Sequence, residues 1–382
     1  MTRKTALLHI GTPKTGTTSI QKCLAEAERA GSLRPYCYPL YRDDLNHNRL
    51  TTLYLPHADL PQVWRAKHPR DDDGFQRARR RYRRFLFRRL RASDGAILSG
   101  ESLSNYLTPP YAMQLRSDLE SLGFKQFHVA LYIRDAADFY LSSTQQVLKW
   151  SLYPTTVVAD PVSFRYRFRR IAENWEQTFP GCLLVRRYPR SPQQDVLADF
   201  SSVMQGCLGV GLPQATARLN PTLSAEAMVV IEDYRQAVGP GAESLVIPGL
   251  DQLVAFLAQS GQRIPQTRPA LKSAVAEQIR SNHQQDAEYI RVRYGVDSGV
   301  ECSGSVAPLP ARSSWRVEDI LDSVDHEIVQ RLQGEYARVG PPRKRPLPVR
   351  AAARAYRAVP YSLRPTRLDG LLRTRFGRGP QA

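Results

Sequence analysis

Several absences narrow the classes of protein to which this sequence can belong. It has five cysteines, none of them in a CxxC pair, and no paired histidine spacing, so neither a zinc site nor a disulfide framework is indicated. No segment approaches the roughly eighteen apolar residues of a membrane span. The first residues lead through a short apolar run directly into a glycine loop, which leaves no room for a signal peptide, and we expect a cytoplasmic protein.

Acidic residues are nearly missing from two short segments that carry the whole net charge of +18. Residues 75–91 contain nine arginines and no acid, and residues 341–382 contain eleven Lys or Arg against the single Asp369. The rest of the chain is close to neutral. This distribution argues against a nucleic-acid partner, and it leaves two interpretations of residues 75–91 open, a solvated helix face or an anion-binding one.

Short apolar runs alternate with stretches of helical spacing through the first half of the chain. The runs 6–10, 96–99, 129–133 and 182–185 are bounded by turn residues and predict buried strands, and a further strand is expected before His47. Alternating β and α units favour an α/β fold with a mostly parallel sheet that is flanked by helices.

Helical periodicity dominates the second half of the chain. Together with an amphipathic helix that carries the arginines of 75–91, it predicts helices at 225–238, 250–259, 271–294 and 317–339. We interpret residues 1–340 as one domain, with a cofactor site mainly in 1–150 and a helical half at about 220–340. Residues 341–382 form a basic tail rich in proline and arginine.

The most informative segment joins the first strand to the first helix and reads Gly11-Thr12-Pro13-Lys14-Thr15-Gly16-Thr17-Thr18. A strand that feeds a glycine turn and a helix N-terminus predicts a cradle of backbone N–H groups for a phosphate. Thr17 stands where a Walker loop has lysine, so the pattern of nucleotide triphosphatases is not met. The threonines add hydroxyl donors, and the Lys14 ammonium extends past the first phosphate to where a second anionic group would lie.

Six of these residues resemble the 5′-phosphosulfate loop, PK[ST]GTT, of the sulfotransferases that use 3′-phosphoadenosine 5′-phosphosulfate (PAPS); they are Pro13, Lys14, Thr15, Gly16, Thr17 and Thr18. The resemblance implies a fold like that of the P-loop-containing nucleotide hydrolases, PAPS as the sulfuryl donor, and no metal. It assigns to Lys14 a contact with the oxygen that bridges phosphate and sulfur.

A second element of the same family pattern lies near the middle of the chain. The family has a strand that ends in arginine and a serine eight residues later, and here Arg134 and Ser142 stand at that interval. The resemblance implies that this pair holds the 3′-phosphate of PAPS. Arginine suits the task because its planar fork binds phosphate through two hydrogen bonds.

The resemblance is strong over roughly the first 150 residues and extends to about residue 295. Its weaker parts are Leu183 to Tyr188 followed by Asp199-Phe200, and the turn Arg218-Leu219-Asn220-Pro221. The RKGxxG loop of many animal members has no counterpart, so the adenosine side of the site is not assigned. The acceptor is expected to be a carbohydrate or glycolipid by analogy with bacterial members alone.

Sulfuryl transfer also needs a general base to take the proton of the acceptor hydroxyl or amine. His47 is the first candidate, because it lies in a polar loop resembling a His-containing stretch of bacterial sulfotransferases and its ordinary pKa suits the task. Glu101 is the rival, because it directly follows a predicted strand, and the carboxyl ends of parallel strands face the binding crevice.

Two other classes of function compete with a sulfotransferase. A P-loop kinase-like phosphoryl transferase would need the Walker lysine that Thr17 replaces. A non-enzymatic anion-binding or membrane-binding protein would use the arginines of 75–91 and the tail, but it leaves residues 11–18 without a purpose. For the tail, 341–382, we keep peripheral contact with an anionic membrane as a hypothesis.

Overall fold

The structure is a computed structural model that describes residues 4–61, 64–65, 73–149, 157–189, 195–212, 223–238, 247–261, 263–299 and 309–339. The predicted basic tail and the turn at 218–221 lie outside the described residues. In chain order the elements are β1 (Lys4–His9), α1 (Thr17–Ala30), β2 (Tyr36–Cys37), α2 (Thr51–Tyr54), α3 (Asp73–Arg91), β3 (Gly95–Ser99), α4 (Glu101–Tyr106), α5 (Pro109–Ser121), β4 (Phe124–Ile133), α6 (Ala136–Leu148), α7 (Phe168–Thr178), β5 (Leu183–Arg187), α8 (Val196–Leu208), α9 (Ala225–Val238), α10 (Leu250–Ser260), α11 (Ser273–Asn282), α12 (Gln284–Tyr294), α13 (Val317–Ile320) and α14 (His326–Val339).

The chain divides into two compact units, and the first, residues 1–135, 167–219 and 285–299, contains the sheet. All five strands are parallel and lie in the order β2, β3, β1, β4, β5. Every residue of β3 and the last five residues of β4 are buried, as expected where helices cover both faces of a parallel sheet. The predicted α/β class with a parallel sheet flanked by helices is confirmed.

The order of the strands determines where a ligand would bind. The chain moves from β1 outwards to β2, returns to β3, and then crosses β1 to reach β4 on its other side. In an open α/β sheet, the crevice at such a change of direction lies beyond the carboxyl ends of the strands. Here those ends belong to β1, β3 and β4, and they carry the loop after His9, the turn at Gly100 and the side chain of Arg134.

The hydrophobic core holds the loop-bearing elements together on one face of the sheet. Leu7 of β1, Leu24 of α1, Tyr132 of β4 and Phe200 of α8 belong to one fully buried cluster. The glycine that follows α1, Gly31, caps the helix with a positive φ of 72°. Strand β1 and helix α1 are therefore fixed on both sides of the residues that connect them.

The second unit consists of residues 136–166, 220–284 and 300–382, and its described elements are helices. Helix α9 is its core, since residues 225–232 are all buried. Two of these are carboxylates, and they accept backbone N–H groups: Glu226 from Thr267 at 3.1 Å and Glu232 from Val317 at 3.0 Å. Burial raises the pKa of Glu232. These carboxylates hold the segments around α9 in place.

Two predicted long helices are wrong, because each is broken in the structure. The one at 271–294 ends at His283, whose ring donates to the carbonyl of Ile279 at 2.7 Å and accepts the N–H of Tyr166 at 2.7 Å. The ring thus takes the carbonyl that the next helical turn would use. The helix predicted at 317–339 is interrupted because Leu321 is extended and forms a bridge to Leu271.

Candidate functional site

Residues 11–16 continue β1 beyond its last residue before turning into α1. The N–H of Thr12 donates to the carbonyl of Tyr132 at 3.0 Å, and the N–H of Tyr132 donates to the carbonyl of Gly11 at 2.7 Å. The Thr12 hydroxyl also donates to the Tyr132 carbonyl, at 3.0 Å. These bonds fix the start of the loop against β4 as firmly as a pair of strands.

The turn uses a left-handed backbone at three positions, with φ of 92° at Gly11, 66° at Lys14 and 73° at Gly16. A side chain at Gly16 would place its Cβ 2.8 Å from Cγ1 of Val196, so both the conformation and the space require glycine there. Lys14 has a Cβ, unlike glycine, and its left-handed backbone conformation is therefore unfavourable. The fold therefore constrains this lysine in one backbone geometry at the point where the chain turns.

The loop's threonine hydroxyls point mostly inward. Thr15 donates to the carbonyl of Thr12 at 2.5 Å, and Thr17 donates to Oε2 of Glu101 at 3.1 Å, while Thr18 is exposed. The sequence predicted hydroxyl donors at all three positions, but two of them already have acceptors within the protein. The hydroxyls of Thr15 and Thr17 shape the loop instead.

Backbone N–H groups are the donors that the loop offers. In the described part of the chain, the N–H groups of Thr15, Gly16, Thr17 and Thr18 have no acceptor. The last two open α1, where the helix dipole adds a partial positive charge. Four consecutive unpaired donors at a helix start form a site for an anion with several oxygens.

Arg134 lies against the same loop, although it is far away in the sequence. It follows β4, its Nη1 donates to the carbonyl of Lys14 at 3.0 Å, and its guanidinium lies 5.2 Å from the centre of the Tyr188 ring. Its Nε is buried and has no hydrogen-bond partner among the described residues. The structure thus brings the Arg134 side chain to the backbone of Lys14, the other residue that the sequence singled out, with donors of Arg134 still available for a ligand.

Ser142, the predicted partner of Arg134, lies on α6 and belongs to the second unit. Its side chain is half-buried. The neighbouring Ser143 is fully buried, and its hydroxyl has no hydrogen-bond partner in the described part of the chain. The role of Ser142 in holding a 3′-phosphate stays a prediction.

Glu101 begins α4 directly after the turn at Gly100, beyond the carboxyl end of β3. Its carboxylate accepts the hydroxyl of Thr17, so it lies beside the first turn of α1. Close approach is possible because position 11 has no side chain: a Cβ on Gly11 would lie 3.3 Å from the Glu101 Cα. A half-buried carboxylate therefore lies beside the loop 11–18.

His47 is fully buried and makes two hydrogen bonds through its ring. Its Nδ1 accepts the N–H of Ser99 at 3.0 Å, and its Nε2 donates to the carbonyl of Pro39 at 3.1 Å. Burial lowers the pKa of His47 to about 4. The backbone N–H of His47 also donates to the Ser99 carbonyl at 2.7 Å. His47 therefore binds both the N–H and the carbonyl of Ser99, the last residue of β3.

Asn48 extends this support to the turn that presents Glu101. Its Oδ1 accepts the N–H of Ser102 at 2.9 Å, and a Cβ on Gly100 would lie 3.0 Å from that oxygen. Sequence reasoning missed Asn48 and the Thr17 to Glu101 bond. The only available signal was their position in the chain. Thr17, Asn48 and Glu101 each come after a strand, and the carboxyl ends of parallel strands lie at one edge of the sheet.

His9 is a residue of the core. It is fully buried as the last residue of β1, its Nδ1 lies 2.8 Å from the hydroxyl of Ser99, and burial lowers its pKa to about 3. Among the described residues, no group of three or more His, Cys, Asp or Glu side chains is arranged to hold a metal ion. Nor does any helix in that part of the chain have the length and apolarity needed to cross a membrane.

Comparison with known proteins gives no family for this chain. No protein-family model, curated protein or solved structure matches the chain.

Proposed function

We propose that this chain is a sulfotransferase that takes the sulfuryl group from PAPS and transfers it to a hydroxyl or amine of an acceptor. One observation carries the proposal. The loop that resembles a 5′-phosphosulfate site and the arginine that resembles a 3′-phosphate ligand lie 120 residues apart in sequence, and they are joined by a 3.0 Å hydrogen bond between Arg134 Nη1 and the Lys14 carbonyl. A nucleotide with phosphates at both positions needs two such anion sites side by side.

The arrangement of the sheet supports a P-loop-type fold for this site. The loop follows the central strand, β1, and the chain changes direction on either side of that strand. The carboxyl ends of β1, β3 and β4 converge on residues 11–18, Glu101 and Arg134. Nucleotides bind at this position in doubly wound sheets.

The residues present fit PAPS in number and in chemistry. The four unpaired N–H groups of residues 15–18 suit the oxygens of a 5′-phosphate. The unpartnered Nε of Arg134 suits a second phosphate, because guanidinium donors bind phosphate oxygens in pairs. When bound, PAPS supplies a sulfuryl group that is linked to an oxygen of its 5′-phosphate.

Two side chains of the loop region would then perform the chemistry. Lys14 places a positive charge beside the phosphate oxygen that gains negative charge as its bond to sulfur breaks. Glu101 takes the proton of the acceptor hydroxyl as that oxygen forms its bond to sulfur. Thr17 holds the Glu101 carboxylate in place through the 3.1 Å hydrogen bond, which orients the base toward the loop.

We assign the base to Glu101 and a supporting role to His47. A base must approach the acceptor's proton, but both ring nitrogens of His47 are engaged by backbone groups and the ring is fully buried. His47 and Asn48 instead hold the end of β3 and the first turn of α4, from which Glu101 projects.

Ligand-dependent melting tests the proposal directly. Adenosine 3′,5′-bisphosphate at 100 times its Kd should stabilise the protein by about 2.7 kcal/mol, whereas ATP with magnesium should give a much smaller shift. A larger shift with ATP and magnesium would favour the kinase-like alternative, and no response to either ligand would overturn the nucleotide site. Mass spectrometry of cellular polysaccharides and lipids treated with labelled PAPS would then identify the acceptor.

A further inference from the structure

Helix α3 presents a stripe of arginines on its exposed side. At 100° per residue, six arginines fall within about a third of the helix circumference and follow one another along about 21 Å of its axis. All six are exposed, and none forms an ion pair with another described residue. They are Arg77, Arg80, Arg81, Arg84, Arg88 and Arg91, which we call the arginine stripe.

The other residues of α3 make the contacts that hold the helix on the protein, and the stripe takes no part in them. The opposite side, Phe75, Tyr82, Leu86 and Leu90, is buried. The arginines on the flanks are used internally: Arg83 pairs with Asp118 at 2.7 Å, and Arg79 and Arg89 bind the Leu53 carbonyl and Glu28. Arginine therefore serves packing at the flanks, while the stripe makes none of these contacts.

The stripe begins toward the edge of the sheet that carries the proposed active site. Helix α3 runs antiparallel to β3, because a short turn joins the two and Lys4, at the start of β1, donates to the carbonyl of Arg91 at 2.9 Å. The last turn of α3 thus lies at the amino edge of the sheet. Its first turn, with Arg77, lies toward the carboxyl edge, where Glu101 and the loop 11–18 are found.

The composition of the stripe selects among polyanions. A helix that binds a lipid surface places apolar side chains beside its cations, and single-stranded nucleic acid is held by stacking on aromatic rings. The helix face that carries the stripe holds only arginine, apart from Asp73 and Gly74 in the first turn, while Phe85 packs on Tyr41 and Phe87 lies against Arg83. Guanidinium forks bind carboxylate groups through paired hydrogen bonds, as they bind phosphate, so a row of them matches a chain of regularly spaced anionic groups.

We propose that the arginine stripe binds an acidic polysaccharide, a linear glycan that carries carboxylate or sulfate groups along its length. Its binding to the stripe does not depend on the reaction. That this glycan is the acceptor rests on the proposed function, because a chain lying along α3 would lead toward Glu101. The stripe would then raise the local concentration of acceptor at the base.

The test uses the full chain and two variants of equal net charge. The stripe variant is Arg81→Gln, Arg84→Gln and Arg88→Gln, and the control variant is Arg29→Gln, Arg34→Gln and Arg170→Gln, three exposed arginines of the same unit. Binding of a size-defined oligogalacturonate is measured at low ionic strength, with a dextran oligosaccharide of the same length as the uncharged probe. We expect the stripe variant to bind oligogalacturonate about tenfold or more weakly, and the control variant to bind like the wild type. None of the three proteins should bind dextran.

Three outcomes would overturn the proposal. Equal losses in both variants would mean that net charge alone attracts the glycan. Tighter, stripe-dependent binding of duplex RNA or of phosphatidylglycerol vesicles would assign the stripe to nucleic acid or to a membrane surface. A lower melting temperature of the stripe variant would contradict its lack of internal contacts, since glutamine matches arginine in helix propensity.

Nucleotide binding tests the proposed function separately from glycan binding. Adenosine 3′,5′-bisphosphate should stabilise the stripe variant as much as the wild type, because the stripe takes no part in nucleotide binding. If the bisphosphate failed to stabilise either protein while stripe-dependent glycan binding persisted, the sulfotransferase proposal would fail and the surface would stand. Loss of labelled sulfuryl transfer to oligogalacturonate through a higher KM, with kcat kept, supports the glycan as acceptor.

Discussion

Two short segments meet the carboxyl ends of neighbouring strands, residues 11–18 after β1 and residues 46–48 beside β3, and they use their polar groups in opposite ways. In the first, four consecutive N–H groups have no acceptor among the described residues. In the second, the N–H and both ring nitrogens of His47 are bonded, and the N–H of Asn48 donates to Asn46 at 3.1 Å. The first N–H groups of a helix lack acceptors within the helix, so those of residues 15–18 are open to an anion, whereas the paired groups of residues 46–48 serve structural support.

The largest effect is expected from a substitution in the first segment, residues 11–18. Lys14→Ala should lower the rate of sulfuryl transfer from labelled PAPS by about 10³-fold, because it removes the charge that stabilises the leaving oxygen. Lys22→Ala, an exposed lysine on α1, is the matched control and should retain activity. Near-normal transfer by a folded Lys14→Ala protein would contradict the assignment.

The second prediction separates the two candidate bases. Glu101→Gln should lower kcat by about 10²-fold with little change in nucleotide affinity, because glutamine fills the same space without accepting a proton. His47→Asn should cause a smaller loss of kcat, through a less well positioned turn at Gly100. A larger loss for His47→Asn in protein of unchanged stability would transfer the role of base back to histidine.

The third prediction concerns the phosphate that distinguishes PAPS from most nucleotides. Arg134→Gln should weaken adenosine 3′,5′-bisphosphate by about 10- to 100-fold, the value of a charged hydrogen bond, and adenosine 5′-monophosphate much less. Calorimetric titration measures both ligands. Arg187→Gln is the control, because it removes an exposed ion pair with Asp297 at the end of the next strand, β5. Equal losses for the two ligands would assign Arg134 to loop structure alone.

The smallest effect is a pH dependence of stability that originates in the supporting segment. Because burial lowers the pKa of His47 to about 4, the unfolded chain binds a proton between about pH 6.5 and 4 that the folded protein does not. The stability gained from the neutral ring is complete above pH 6.5 and is lost as the pH falls toward 4. Between pH 6 and pH 5 this amounts to about 1 kcal/mol.

Urea unfolding of the wild type and of His47→Asn at pH 7, pH 6 and pH 5 checks this expectation. The variant should be less stable at pH 7 and should lose about 1 kcal/mol less than the wild type between pH 6 and pH 5. His9 remains in both proteins, so its own contribution cancels in the comparison. The same loss in wild type and variant would show that the His47 ring is accessible to protons in the folded state.

The sheet and the loop could be predicted because their signals are local. Apolar runs bounded by turns identified β1, β3, β4 and β5, and the glycine spacing identified residues 11–16. The beginning of β4 was missed because Phe124 to His128 reads as a mixture of apolar and polar residues, and three of those five are at least partly exposed. Strand β2 has two residues, with Pro35 before and Pro39 after, so no pattern could give its bounds.

The rest depended on contacts between residues far apart in sequence. His283 ends α11 because its ring accepts the N–H of Tyr166, 117 residues away. Likewise, a polar loop containing His47 resembles a catalytic loop in sequence, and only the packing of that loop on β3 buries the ring and engages its nitrogens. Periodicity describes which face of an element is apolar, but it carries no information on such pairings.

The backbone of Lys14 sets the demands of catalysis against those of folding. A residue with a side chain at a φ of 66° costs about 1 kcal/mol relative to glycine. Lys14→Gly should therefore give a protein that resists denaturation better than the wild type and transfers almost no sulfuryl group. Under the proposed function, the lysine is kept at this cost in stability because its charge acts on the leaving oxygen.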